Sequence, residues 1–233
     1  MSDVDRRTVL AAFDDLRVAD VRDGMDSLLL HHVGSMSPAI RPLWRTRAFG
    51  IARTARYLPY DGTIPPLSGE DYRRWVGEYY RDVCAYPWMD DIEPGDFIVI
   101  DASGVDAGLM GSANTLSGLR RGARGYVSSG GVRDTDEVIG QKVPFWSAIV
   151  SQSMVQGRLQ FDAKDVPVTV GGVTVHPGDV VVADGDGVIV VPRRHALAVA
   201  EEAHAEHSRD RAARRKHYEA LGLPLDPTVT DPG

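Results

Sequence analysis

At residues 130–137 the chain reads "GGVRDTDE", which puts Arg133 directly before Asp134 at the end of a β-like run. A guanidinium is a planar fork of donors that matches a carboxylate. An aspartate is a hard oxygen ligand suited to Mg²⁺, an ion that keeps several waters and takes only one or two protein carboxylates. Side by side, the two could hold an organic acid and a cation. A second stretch, "DASGVDAGLMGSAN" at 101–114, is glycine-rich and leads into a helix whose first turn includes Ala113 and Asn114. If the two strands are neighbours, backbone N–H groups at Ala113 and Asn114 would face Arg133 across a small cleft. Ligands of open α/β sheets gather at such strand ends and helix N-termini.

The same residues also fit a structural account. Arg133 and Asp134 could be a surface ion pair with Asp134 capping a helix. Thr135, Asp136 and Glu137 suit a first helical turn, where the dipole favours acids. Spacing alone leaves both accounts open. Asp184 and Asp186 in "ADGDGV" could chelate a cation, although Asp-Gly turns between strands are the commoner use of that pattern. Histidines 31, 32, 176, 195, 204, 207 and 217 show no metal-ligand spacing with supporting carboxylates. Cys84 is the sole cysteine, so neither an internal disulfide nor a cysteine metal cluster is possible.

The elements that would position these groups can be read from periodicity. Val9, Leu10, Phe13, Leu16, Val21, Met25 and Leu28 fall at helical spacing and suggest two short helices with Asp20 as the N-cap of the second. Ala48 to Leu58 alternates as a strand, 59–70 is turn-rich, and 70–86 reads as a helix with Tyr72, Trp75, Tyr79 and Val83 on one face. From residue 96 the pattern is strand, helix, strand, helix, strand, which argues for a parallel α/β core. From Pro167 the chain turns to strands punctuated by Gly-Gly, Pro-Gly-Asp and Asp-Gly-Asp-Gly, expected as a small β-layer against the first. Residues 193–221 predict a long charged helix whose distal part packs on another subunit or frays, and 222–233 a tail.

With 233 residues, the expectation is one domain over 1–233 with 59–86 as an inserted loop and helix. The net charge of −7 argues against non-specific nucleic-acid binding, which needs a basic field. The N-terminus "MSDVDRRTVL" has no apolar core of a leader, and no run approaches eighteen apolar residues. A cytoplasmic protein without membrane or nucleic-acid partners is therefore expected.

The stretch "GSANTLSGLRRGARGYVSSGGVRDTDEV" resembles the core signature of the RraA-like family, which includes class II 4-hydroxy-4-methyl-2-oxoglutarate / 4-carboxy-4-hydroxy-2-oxoadipate aldolases. "ADVRDGMD", "MSPAIRPLWRTRAFGIART" and "GGVTVHPGDVVVADGDGVIVVP" extend the likeness over most of residues 15 to 205. The resemblance implies an α/β chain of the β/β/α swivelling type and a homotrimer or homohexamer with sites near subunit interfaces. It implies Arg133 on the carboxylate of a small-molecule 2-oxo acid, Asp134 on Mg²⁺ or Mn²⁺ largely through waters, and the amides of Ala113 and Asn114 on the keto acid. The aldolase motif has an Asp twenty intervening residues before the Arg, and Ser112 stands there in this chain. The expected activity is a metal-dependent lyase working through an enolate, by aldol cleavage or β-decarboxylation. The alternative is a non-catalytic regulatory or binding protein of the RraA type. The retained Arg133-Asp134 pair favours the enzyme.

Overall fold

One long strand organises the molecule. In the computed structural model of the chain, which describes residues 5–230, β2 (Ala48–Pro59) pairs in parallel with β3 (Asp96–Asp101). Its other edge is shared. The first half takes β10 (Val180–Ala183) and the second half β7 (Leu159–Lys164), both antiparallel. β5 (Gly125–Val132) and β6 (Phe145–Val150) continue the parallel array beyond β3. β4 (Gly108–Met110) on β5, β1 (Arg41–Pro42) on β6 and β11 (Val188–Val191) on β10 complete a nine-stranded mixed sheet.

The sheet sorts its side chains with a period of two, because successive Cβ atoms point to opposite faces. On β3, Phe97 and Val99 join one core, and Ile98 and Ile100 join another. The first core also takes Val127, Trp146 and the hairpin of β8 (Val168–Val170) and β9 (Val173–Val175). The second is aromatic, built from Tyr57, Tyr79, Trp88, Tyr126 and Phe145. The Trp88 indole N–H donates to the Tyr57 hydroxyl at 2.8 Å, which donates in turn to the Ala85 carbonyl at 2.8 Å. Burial without a charged partner pushes the Tyr57 phenol well above its ordinary value, so it stays a neutral donor.

A third core lies between β10–β11 and the terminal helices. α1 (Arg6–Ala12), α2 (Val18–Ser27) and α6 (Ala196–Leu221) contribute Val9, Val21, Met25, Val199 and Ala203 against Val180, Val182, Ile189 and Val191. The expected apolar stripe of the first two helices is thus real, but Asp20 is not the N-cap. Arg17 occupies that position, and Asp20 is the third helical residue, its carboxylate accepting the Arg17 backbone N–H at 2.9 Å. The reason is geometric: a carboxylate three residues in can reach back to the residue that opens the helix.

Two further expectations need correcting. Only β8 and β9 form a separate small layer. β10 and β11 extend the main sheet, because β2 is long enough to carry them beside β7. The distal half of α6 is not frayed, being helical to Leu221, and residues 222–230 fold back along one side of it, with Tyr218 donating to Asp226 at 3.0 Å and Val229 buried. Residues 231–233 of the tail and 1–4 of the N-terminal stretch lie outside the described residues. α3 (Gly69–Asp82) forms most of the expected aromatic helix but ends four residues short of Tyr86, with Tyr79 buried, Trp75 half-buried and Tyr72 exposed. No helix among the described residues is long and apolar enough to cross a membrane.

Candidate active site

Two crossover helices start at the carboxyl ends of adjacent strands. α4 (Ser112–Arg121) follows β4, and α5 (Thr135–Gly140) follows β5. The Arg133 backbone N–H donates to the Met110 carbonyl at 2.9 Å, and the Ser151 N–H donates to Val132 at 2.8 Å. These bonds tie the end of β5 to both neighbours. The chain then turns sharply at Asp134, whose φ of 53° and ψ of 40° are left-handed. A non-glycine residue there carries backbone strain that its surroundings must hold.

Asp134 stands in the N-cap position of α5, yet its side chain makes no cap hydrogen bond. It turns back toward α4 instead. Oδ2 accepts the Ser112 backbone N–H at 3.3 Å, and Oδ1 accepts Arg133 Nε at 3.2 Å. Both contacts are long, and about a third of each side chain remains exposed. Neither Nη of Arg133 makes a hydrogen bond among the described residues. The expected ion pair is therefore present, the expected side-chain cap is not although Asp134 opens α5, and neither arrangement uses up the groups.

Two glycines make room for the pair. A Cβ at Gly108 would lie 2.7 Å from the Arg133 side chain, and one at Gly111 would lie 2.4 Å from Asp134 Oδ2. The strand end and the helix start approach as closely as they do because both positions lack a side chain.

Arg133 and Asp134 sit where two cavities meet. One, of about 490 Å³, is polar: Asp106, Thr135, Ser151 and Gln152 line it with the pair. The other, of about 220 Å³, is lined by Ala113 and Asn114 as expected, and also by Tyr80, Tyr86, Leu109 and Met154. Burial holds the Tyr86 phenol well above its ordinary value despite a hydrogen bond from Asn114 that opposes the shift. The Tyr86 hydroxyl donates to the Leu109 carbonyl at 2.7 Å. Ser112 reaches the pair through its backbone; its hydroxyl makes no hydrogen bond among the described residues and lines neither cavity. Sequence reasoning missed Asp106, Tyr80, Tyr86 and Met154. Tyr80 carried a faint signal, as the residue after Tyr79 in an aromatic helix.

Whether the pair suits a divalent metal depends on its donors. No group of three or more His, Cys, Asp or Glu among the described residues could enclose an ion. The pair is too poor in ligands for zinc, which takes three or four protein donors from His, Cys and carboxylate. It fits Mg²⁺ or Mn²⁺, since Asp134 offers one carboxylate beside an open polar cavity with Asp106 on its wall. The remaining candidates have structural uses. Asp184 accepts the Val18 and Asp186 backbone N–H groups at 2.9 and 2.8 Å, so the Asp-Gly turn is a brace. His207 bonds Asp20 at 2.8 Å. Cys84 is buried, and burial pushes its thiol up to about 12.

Residues 18–190 match the sequence profile of the RraA-like family, described as Aldolase/RraA. Over 135 residues the chain is 33% identical to a Halalkalibacterium halodurans protein named "Putative 4-hydroxy-4-methyl-2-oxoglutarate aldolase", covering 54% of this chain and 60% of that one. It is 28% identical over 176 residues to protein DlpA of Legionella pneumophila, covering 75% of this chain but 26% of DlpA. The match thus spans less than two thirds of the length of either relative. Among solved structures, Streptomyces coelicolor RraAS2, titled an unusual member of the RNase ES inhibitor RraA protein family, superposes with a TM-score of 0.71 at 26% identity, covering 92% of this chain and 99% of that one.

Proposed function

Because the chain belongs to the RraA-like family, whose profile matches most of its length, we propose that it is a divalent-metal-dependent carbon–carbon lyase acting on a 2-oxo acid. The observation that carries this reading is the Asp134 carboxylate turned away from the helix it precedes and toward the cleft, beside an arginine with both Nη atoms uncommitted. Arg133 binds the carboxylate of the oxo acid through that fork. The backbone N–H groups of Ala113 and Asn114, unsatisfied at the first turn of α4, donate to the acid end of the substrate. Asp134 would hold Mg²⁺ or Mn²⁺, ions that need only one or two protein carboxylates. The cation, when bound, supplies Lewis acidity that stabilises the enolate formed as the bond breaks.

Aldol cleavage and β-decarboxylation share that enolate. They differ in proton demand: cleavage needs a base for the C4 hydroxyl, whereas decarboxylation does not. With Ser112 where the aldolases carry an aspartate, decarboxylation of oxaloacetate is the easier of the two. Ser112→Asp, which rebuilds a carboxylate beside Asp134, raises pyruvate release from 4-hydroxy-4-methyl-2-oxoglutarate. Efficient cleavage by the wild type would show that Ser112 is no handicap. A homotrimer or homohexamer is supported by exposed apolar side chains at Leu116 on α4, Ile139 on α5, and Val150 and Met154 on the cavity walls. Light scattering checks it, where a 25.4 kDa particle rejects it.

The alternative is a regulator of the RraA type that binds a partner without catalysis, for which the RraAS2 likeness speaks. Calorimetry with Mg²⁺ and pyruvate separates the two. The enzyme reading requires metal binding that Asp134→Ala removes and oxo-acid binding that Arg133→Lys weakens. Binding unchanged in both variants sinks it.

A further inference from the structure

Among the described residues, Arg133 is the only cationic side chain lining either cavity. On the oxo-acid reading, from which this inference starts, its fork is taken by the C1 carboxylate. No second cation of the same protomer then remains among the lining residues for a second carboxylate. The larger cavity offers the opposite of a counter-ion, since Asp106 and Asp134 both line it. Like charges in one site disfavour binding.

The smaller cavity is a different surface. Beyond the amides of Ala113 and Asn114, its walls are Tyr80, Tyr86, Leu109 and Met154. The rings of Tyr80 and Tyr86 stack with centroids 6.4 Å apart and planes 27° from parallel. This wall comes from the 59–86 stretch, and it is held firmly. Tyr79, next to Tyr80 on α3, is buried, packs against Tyr60 and Trp75 at about 5 Å, and donates to the Leu159 carbonyl at 2.8 Å. With Tyr79 anchored on the core side, Tyr80 is carried toward the cleft, half-buried, its hydroxyl without a hydrogen bond among the described residues. Tyr86 is fixed by its bond to Leu109.

We propose that the part of the substrate beyond its reacting carbons is uncharged and apolar or aromatic, and that Tyr80 and Tyr86 select it by packing against its face. Aromatic walls favour such groups through area burial and offset stacking. They offer a carboxylate no counter-ion for the water it would lose, only the Tyr80 hydroxyl as a neutral donor. The insert therefore sets which oxo acid this chain accepts, while Arg133 and Asp134 set that it is an oxo acid.

Calorimetry in Mg²⁺ tests this without turnover, using two ligands that differ only in the group on C4: 2-oxo-4-phenylbutanoate and 2-oxoglutarate. Pyruvate serves as the common core. The expected result is that the phenyl compound binds at least tenfold more tightly than 2-oxoglutarate. Tyr80→Ala removes most of that ratio, weakening the phenyl compound far more than pyruvate, and Tyr80→Phe retains it. If 2-oxoglutarate binds as tightly as the phenyl compound, or Tyr80→Ala leaves the ratio intact, the aromatic wall does not select. If pyruvate itself fails to bind, the oxo-acid reading falls and the inference with it.

Discussion

Two aspartates in this molecule stand at the start of a helix beside an arginine, and they have opposite fates. Asp20 is almost fully buried and saturated: the backbone and side chain of Arg17 and the ring of His207 all bond its two oxygens. Asp134 is a third exposed, and its two contacts are 3.2 and 3.3 Å long. Burial pushes the Asp20 carboxyl up, but the bonds from Arg17 and His207 outweigh it and hold the group below its ordinary value. The same pair of residue types thus makes a brace where every lone pair has a donor. It makes a candidate binding site where the donors are few and the cleft is open. Saturation, not sequence, separates structure from chemistry.

Substitution can break that comparison at either end. Asp134→Ala has the largest expected effect, a loss of metal-dependent turnover of a hundredfold or more. Its melting temperature stays within a few degrees of wild type, because a strained left-handed residue with long contacts contributes little to stability. Loss of fold together with activity would erase the distinction between the two aspartates. Arg133→Lys comes next. Replacing a fork by a point charge forfeits about 1.5–3 kcal/mol, so the apparent KM for the oxo acid rises roughly 10- to 150-fold with the fold intact.

At the other site the readout reverses. Asp20→Ala leaves Arg17 and His207 without their carboxylate at the junction of α2 and α6. Removing one member of a fully buried pair costs about 3–5 kcal/mol; Arg17 is partly solvated, so about 2–3 is expected here, lowering Tm by roughly 5–10 °C. Activity per folded molecule is unchanged. An Asp20→Ala enzyme that is stable but inactive would mean the roles are misassigned.

The smallest effect is in the pH dependence. The Asp20 carboxyl is depressed in the folded state, so its stabilisation is complete above the unfolded value of about 3.9 and is lost as pH falls below it. Thermal melts between pH 6 and pH 3 should show wild type losing stability below about pH 4 more steeply than Asp20→Asn. Parallel curves would mean that other carboxylates dominate the acid limb.

The strands beside the site were legible because their signal is local. Phe97 to Ile100 is a continuous apolar run and Ala48 to Leu58 alternates, and both lie within a residue of those bounds, whereas the three-residue β4 that leads into α4 has no such signal. Arg133 and Asp134 stood out for the same reason, as an odd pair at a strand end. What was hidden depends on approach between distant segments. Nothing around Asp106 in "SGVDAG" separates it from any solvated turn acid, and Met154 lies in a loop after β6. Tyr80 and Tyr86 read as part of an aromatic helix packed on the core, and Tyr79 is that residue; only the fold shows that its neighbour faces the cleft. The N-cap of α2 lies three positions from Asp20 because N-cap and third-residue acids share one local pattern.

The long strand β2 has a consequence for how the chain is made. Its parallel partner β3 follows within forty residues, but its other edge waits for β7, whose first residue Leu159 comes a hundred residues after Pro59. At roughly 5–20 residues per second, that edge stays open for about 5–20 s on the ribosome. A hydrophobic strand in that state is a template for pairing with a neighbouring nascent chain. β2 carries Arg53 and Arg56, which in the finished protein meet Asp96, Asp165 and Asp162. Two of those three acids are translated after the exposed interval begins to close. Until then Arg56, whose partner Asp162 arrives only with β7, is the uncompensated charge on that edge and acts as a gatekeeper between two unfinished copies.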